Sequence, residues 1–199
     1  MKLELPAHPE KGSFKAYLFD CDGTIANSMP IHYRAWMKAL DRWNCPFPEK
    51  DFYDWAGMPT PAIVERLNER QGLAMSHQEI SDIKEKAYFE LLPEVKPVPE
   101  VLEQIHLQHS RLPLAVVSGS PRDSVIRTLS ALGLMNYFDV ILGAEDYPRG
   151  KPHPDAYLLA AKRLKVNPAD CLVFEDAELG IESARRAKMA WVKVIPDRL

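Results

Sequence analysis

A chain of 199 residues, 46% hydrophobic and 27% charged, is long enough to bury a core and has the composition of one globular domain or one domain carrying a small insert. Its 25 basic and 28 acidic residues give a net charge of -3, without the basic stripe a duplex binder uses to neutralise phosphates; this argues against nucleic acid or an anionic membrane as partner. Cys21, Cys45 and Cys171 are too few and too far apart for a disulfide framework, and neither a secretory signal nor a membrane-length apolar run is evident, so the expectation is a cytoplasmic protein with reduced thiols.

In chain order, residues Met1 to Gly12, with Pro6, Pro9 and Gly12, read as a loosely held tail. The run Ala16-Tyr17-Leu18-Phe19 lacks polar alternation, as a strand buried on both faces of a parallel sheet does. From Pro30 to Glu94 the pattern turns helical, with no convincing strand. Ile31, Ala35, Trp36, Ala39, Leu40 and Trp43 make one apolar face, Ile63, Val64 and Leu67 a second, and Ile80, Ile83, Ala87 and Leu91 a third. The chain returns through Pro93 and Pro97-Val98-Pro99, which predicts a small helical cap, residues 29–94, hinged on a core of residues 13–28 and 95–199. Beyond it, helical patterns at Glu100 to Gln108, Arg122 to Leu132, Pro154 to Leu164 and Glu178 to Ala187 alternate with apolar runs. Those runs are Leu114 to Val117, Val140 to Leu142, Cys171 to Phe174 and Trp191 to Val194. This β-α-β-α rhythm predicts a three-layer α/β sandwich around a mainly parallel, Rossmannoid sheet.

The chemistry collects at strand ends. After the first strand, Asp20-Cys21-Asp22-Gly23-Thr24 sets two carboxylates two positions apart, so both can face the crevice while Cys21 turns away; a plain Asp-Gly turn is the alternative. After the second, Ser118-Gly119-Ser120 precedes a helix, either as an anion cradle of hydroxyl and backbone amides or as a simple helix-entry loop. After the third, Lys151 stands between Gly150 and Pro152, where a solvated lysine is the alternative. After the fourth come Glu175 and Asp176, which an ordinary helix cap would also explain. Chance explains all four together poorly. Clustered carboxylates need a hard cation with oxygen ligands, Mg²⁺, and an aspartate can attack phosphorus while lysine and amides absorb charge, so the pattern reads as phosphoryl transfer.

At these residues the chain resembles the haloacid dehalogenase superfamily, over Lys15 to Ile195, and within it the β-phosphoglucomutase-like branch with a small helical cap. Val173-Phe174-Glu175-Asp176-Ala177, with Gly180-Ile181, Ala184 and Gly150-Lys151-Pro152, is similar to the bacterial fructose-1-phosphate phosphatases of that branch. The resemblance implies Asp20 as the nucleophile, Asp22 as general acid and base, and Ser118 and Lys151 as holders of the phosphoryl group. It places Gly23, Thr24, Gly119 and Ser120 around the substrate. Mg²⁺ would be held by Asp20, the main-chain carbonyl of Asp22 and Asp176, with Glu175 in or near its shell. Read from the residues alone, His32 is a helix-surface histidine; the resemblance makes it a cap histidine that positions substrate and Asp22. It also makes Trp55, Gly57 and Met58 a cap loop that reads the substrate, and matches Lys86 to a cap lysine of the mutases. Trp36 and Trp43 are read as cap core. The second aspartate, Asp22, favours phosphate over halide substrates.

One departure bears on reaction class: where mutases of the branch carry a phosphate-gripping cap arginine, this chain has Met58-Pro59-Thr60, with Arg66 further on. The expectation is therefore a Mg²⁺-dependent phosphatase of small sugar phosphates such as fructose 1-phosphate, acting as a monomer through an aspartyl-phosphate. A hexose-phosphate mutase and a non-catalytic binding protein on the same fold are the alternatives.

Overall fold

Short, mainly apolar runs of three to five residues build the sheet. In the computed structural model, which describes residues 3–10 and 12–196, β1 (Ala16–Phe19), β2 (Leu114–Val117), β3 (Val140–Leu142), β4 (Cys171–Glu175) and β5 (Ala190–Lys193) form one all-parallel sheet in the order β3-β2-β1-β4-β5. β1, β2 and β4 are buried along their whole length, as their uninterrupted apolar runs predict. Burial on both faces fails at the two edge strands. Val140 and Ile141 are half-buried, and Trp191 and Lys193 are exposed, because an edge strand has a neighbour on one side only.

Between β1 and β2 the chain forms α1 (Met29–Leu40), α2 (Glu49–Asp54), α3 (Thr60–Gln71) and α4 (His77–Leu91). The crossover helices follow: α5 (Pro99–Gln108), α6 (Arg122–Ala131), α7 (Asp155–Leu164) and α8 (Glu178–Arg186). Strand alternation decides which helices cover which face. Tyr17, Phe19, Val116 and Phe174 point to the side covered by Val101 and Ile105 of α5 and Val125 and Leu129 of α6. There the Phe19 and Phe174 rings stack at 4.6 Å. Ala16, Leu18, Ala115 and Val173 point to the other side, where the small Ala156, Ala160 and Ala161 bring α7 close to the sheet.

The inserted helices have their own apolar cluster. Trp36, Ala39 and Leu40 of α1 meet Ile63, Val64 and Leu67 of α3 and Ile80 of α4, with Phe47 and Phe52 beside them. Ile31 and Ala35, on another side of α1, pack against Ala87 and Tyr88 of α4 and Leu92 and Val95. Pro30 sits in the first turn of α1, where its missing N–H costs no helical bond. The Ser76 hydroxyl caps α4 by accepting from the Glu79 amide.

The expectation of a loosely held tail is corrected in its described part. Leu3 packs partly against the sheet cluster, and the His8 ring lies 5.1 Å from Phe14 with its Nε2 3.2 Å from Asp170 Oδ1, so an apolar and a polar anchor tie the segment down. Met1, Lys2, Lys11 and residues 197–199, which the expected tail and core include, lie outside the described residues. Among the described residues no helix is long and apolar enough to cross a membrane.

Candidate active site

Register brings the chemical residues together. Phe19 pairs with both Val116 and Phe174, so β1, β2 and β4 end on one row, and Asp20, Ser118 and Glu175-Asp176 leave the sheet side by side. Strand order changes direction there, which is where open α/β sheets bind ligands.

Asp20 is 7% exposed and accepts from Lys151 Nζ at 2.6 Å. The same ammonium donates to the Val117 carbonyl at 3.2 Å and to Glu175 Oε1. Glu175 is fixed further by the Tyr157 hydroxyl, which donates to Oε1 at 2.9 Å, and by the Ala177 amide, which donates to Oε2 at 3.1 Å. Asp176 accepts from Thr24 Oγ1 at 3.1 Å. Two glycines make room for these carboxylates. A Cβ on Gly23, whose φ is +86°, would lie 2.3 Å from Asp176 Oδ2, and one on Gly180 would lie 1.7 Å from Glu175 Oε1.

Asp22 lives in a different environment. Ser28 Oγ donates to its Oδ1 at 2.7 Å, His32 Nε2 lies 3.0 Å from the same oxygen, and Ser120 Oγ donates to Oδ2 at 2.7 Å. Burial alone would raise its pKa, but the charge and hydrogen bond of His32, with the hydroxyls of Ser120 and Ser28, outweigh burial and hold it well below the ordinary range. Asp20 goes the other way: burial raises it, and Glu175, Asp176 and Asp22 add to that against the pull of Lys151. Burial and the charge of Glu175 push Asp176 up to about 7, despite Lys151 and the Thr24 hydrogen bond. Burial opposes the charge on Lys151, yet Asp20 and Glu175 prevail and raise its pKa.

Oxygens of Asp20, Glu175 and Asp176 all lie within 4.8 Å of one another. One ammonium is too little positive charge for three clustered carboxylates, two buried and one half-buried, and every donor is a hard oxygen; the set fits a divalent cation, which would offset the repulsion that raises Asp20 and Asp176. The Asp22 carboxylate stands outside that set, held by its own three donors.

The other expected residues do not all face the cavity. His32, Trp55, Gly57, Met58, Gly119 and Ser120 line one cavity with Asp20, Asp22, Ser118, Lys151, Glu175 and Asp176. His32 is buried, which overturns its reading as a surface histidine. Gly23 and Thr24 do not line the cavity; they lie behind Asp176, one giving it space and the other a hydrogen bond. The cradle after β2 is also smaller than expected. Ser118 Oγ accepts the Ser120 amide and the Glu145 carboxylate accepts the Arg122 amide, because amides at a helix start need acceptors when nothing else supplies one.

Lys86 is exposed, and the lysine of α4 that is buried and faces the cavity is Lys84, whose Nζ lies 3.1 Å from Glu85 Oε1. Its position in sequence, sharing an apolar face with Ile80, Ala87 and Tyr88, was the signal that could have found it. Tyr157, on the apolar face of α7, carried no such signal. Arg66 does not line the cavity: its guanidinium covers the Trp55 ring at 4.7 Å and donates to Met58 Sδ at 3.7 Å. Trp36 belongs to the inserted cluster, and Trp43 packs at its margin under Arg42.

The sequence pattern of the haloacid dehalogenase-like hydrolases matches residues 17–194. The chain is 34% identical over 182 residues to the fructose-1-phosphate phosphatase YqaB of Escherichia coli, covering 91% of this chain and 96% of that protein. It is 30% identical over 177 residues to a phosphorylated carbohydrates phosphatase of Thermotoga maritima, covering 87% and 81%. Among solved structures, β-phosphoglucomutase of Clostridium difficile superposes with a TM-score of 0.81 at 28% identity, covering 89% of this chain and 83% of that one.

Proposed function

The chain belongs to the haloacid dehalogenase-like hydrolases, as a phosphoric monoester hydrolase, and we propose from that premise that it is a Mg²⁺-dependent phosphatase of small sugar phosphates such as fructose 1-phosphate. One observation carries the reading: Asp20 and Asp22, two residues apart, have opposite surroundings. Asp20 faces Lys151 among carboxylates, and Asp22 is enclosed by three hydrogen-bond donors.

In this reading Asp20 Oδ attacks phosphorus in line, the bond to the sugar oxygen breaks, and Asp22, which takes up a proton with the bound substrate against the surroundings that keep it ionised in the free site, delivers that proton to the departing alkoxide. Asp22, ionised again, takes a proton from water as that water attacks the aspartyl-phosphate on Asp20, releasing phosphate. Lys151 and the loop from Ser118 to Ser120 hold the phosphoryl oxygens as charge builds on them. Asp20, the Asp22 carbonyl, Glu175 and Asp176 would hold Mg²⁺, which supplies charge neutralisation at the phosphoryl group. The inserted helices, residues 29–94, act as a cap that closes over the substrate through Trp55, Gly57 and Met58 and shuts out bulk water. The stacking of Arg66 on Trp55, away from the cavity, favours hydrolysis over mutase chemistry, which must grip a second phosphate. Three buried, reduced thiols support a cytoplasmic setting.

The test is phosphorus NMR of the purified protein with Mg²⁺ and a sugar-phosphate panel including fructose 1-phosphate and β-glucose 1-phosphate. Inorganic phosphate should accumulate, and Asp20→Asn should cut the rate by on the order of 10³-fold or more while leaving the chain folded. Accumulation of glucose 6-phosphate would establish the mutase instead. Turnover that survives Asp20→Asn would rule out the covalent route.

A further inference from the structure

A buried catalytic histidine is ordinarily oriented through its second ring nitrogen, which bonds a carbonyl or carboxylate and so fixes both tautomer and ring plane. His32 lacks that support. It is 7% exposed, its Nε2 lies 3.0 Å from Asp22 Oδ1, and its buried Nδ1 has no hydrogen-bond partner among the described residues. What holds the ring is Tyr88: the two rings lie 4.2 Å apart and only 4° from parallel. Tyr88 is itself held from the far side. Its hydroxyl is 2.8 Å from Thr128 Oγ1, and since Thr128 donates its own proton to the Ser124 carbonyl at 2.9 Å, Tyr88 is the donor of that pair. One turn earlier on α4, Glu85 accepts from Ser124 Oγ at 2.5 Å, so α4 of the insertion is tied twice to α6 beside the sheet.

We infer that Tyr88 is a positioning residue: tethered to α6 through Thr128, it clamps the His32 ring by stacking and so keeps Asp22 aligned for proton transfer. The inference rests on the proposed role of Asp22 and adds to it the residue that sustains its geometry. Its effect is confined to steps that need the Asp22 proton. A sugar alkoxide is a poor leaving group and depends on that proton, whereas 4-nitrophenolate leaves almost without it.

The experiment compares kcat/KM for the fastest sugar phosphate of the panel with kcat/KM for 4-nitrophenyl phosphate, in the wild type, Tyr88→Phe, Tyr88→Leu, Thr128→Val and Asp22→Asn. Asp22→Asn sets the full differential loss. Tyr88→Leu, which removes the ring, should lower the sugar-phosphate value about tenfold more than the aryl value. Tyr88→Phe and Thr128→Val, which keep the ring and cut the tether, should each give the same smaller differential, about two- to threefold. Equal losses on both substrates in Tyr88→Leu would reduce Tyr88 to a packing residue and overturn the inference. If Tyr88→Leu does not fold, unlike behaviour of Tyr88→Phe and Thr128→Val does the same. Asp20→Asn separates the failures: turnover surviving in it sinks the covalent mechanism, whereas a silent Asp20→Asn with an unmoved substrate ratio sinks only the role of Tyr88.

Discussion

Tyr157 does two jobs at once with one phenol: its hydroxyl donates to Glu175 Oε1, and its ring lies 5.2 Å beneath the Lys151 ammonium. Tyr157→Phe keeps the ring and deletes the donor, leaving Oε1 to Lys151 alone. The expected cost is about 1 kcal/mol of stability from the lost hydrogen bond. If Glu175 holds Mg²⁺ as proposed, Mg²⁺ affinity should fall on the order of tenfold, because the group that orients that carboxylate is removed; a Mg²⁺ titration followed by calorimetry reads this directly. The three cysteines make the opposite case: all are buried and kept out of chemistry, even Cys21, which stands between Asp20 and Asp22. Burial raises the Cys21 and Cys45 thiols and pushes Cys171 up to about 12. A chromogenic thiol reagent at pH 8 should therefore leave the native chain nearly unmodified and titrate all three sulfurs in denaturant. Rapid labelling of Cys21 in the native state would mean that the loop beside Asp20 opens readily.

At the level of elements, α8 shows how a helix is shaped by the strand end it follows. Glycine inside a helix costs about 1 kcal/mol relative to alanine, so propensity alone makes Gly180→Ala stabilising. The close approach of Glu175 reverses that expectation, since the new Cβ would stand 1.7 Å from Oε1, and the carboxylate can swing aside only by giving up its bonds from Lys151, the Tyr157 hydroxyl and the Ala177 amide. Gly180→Ala should lower the melting temperature and reduce activity by about tenfold or more as Glu175 is displaced. A variant with raised Tm and full turnover would show that Glu175 can shift freely. The inserted helices teach a related lesson. The apolar face of α4 accommodates Lys84 because that face covers a polar cavity as well as the inserted cluster, so helical periodicity alone cannot classify the lysine.

Across the whole molecule, a cation held at the proposed site would couple stability to its binding. Burial and the charge of Glu175 push Asp176 up to about 7 against an ordinary 3.8, so without a cation stability falls as pH rises from about 3.8, and the loss is complete once pH has passed about 7. Asp176→Asn removes that penalty. At pH 8 in chelator the variant should melt above the wild type. Adding Mg²⁺ should raise the wild-type Tm in a concentration-dependent way, since a ligand that binds only the folded chain stabilises it, and should raise the variant much less. Scanning calorimetry distinguishes the outcomes, and an unchanged variant Tm in chelator would show that the repulsion is relieved by other means.

The strands and crossover helices were legible in the sequence because each is set by local pattern: uninterrupted apolar runs for β1, β2 and β4, and helical spacing for α5 to α8. The acidic pairs, Ser118 and Lys151 were legible for the same reason, since in a parallel sheet the residues after each strand share one edge. The sequence did not determine the environment each carboxylate would meet. Asp20 and Asp22 are the same residue type two positions apart, and only folding sets one beside Lys151 and the other among Ser28, His32 and Ser120. The choice of Lys84 over Lys86, the stack of Tyr88 on His32 and the Tyr157 bond to Glu175 likewise join residues far apart in the chain. Such contacts depend on how whole elements pack, so local periodicity carries no record of them, and tertiary structure alone decided which side chains face the cavity and which hold them there.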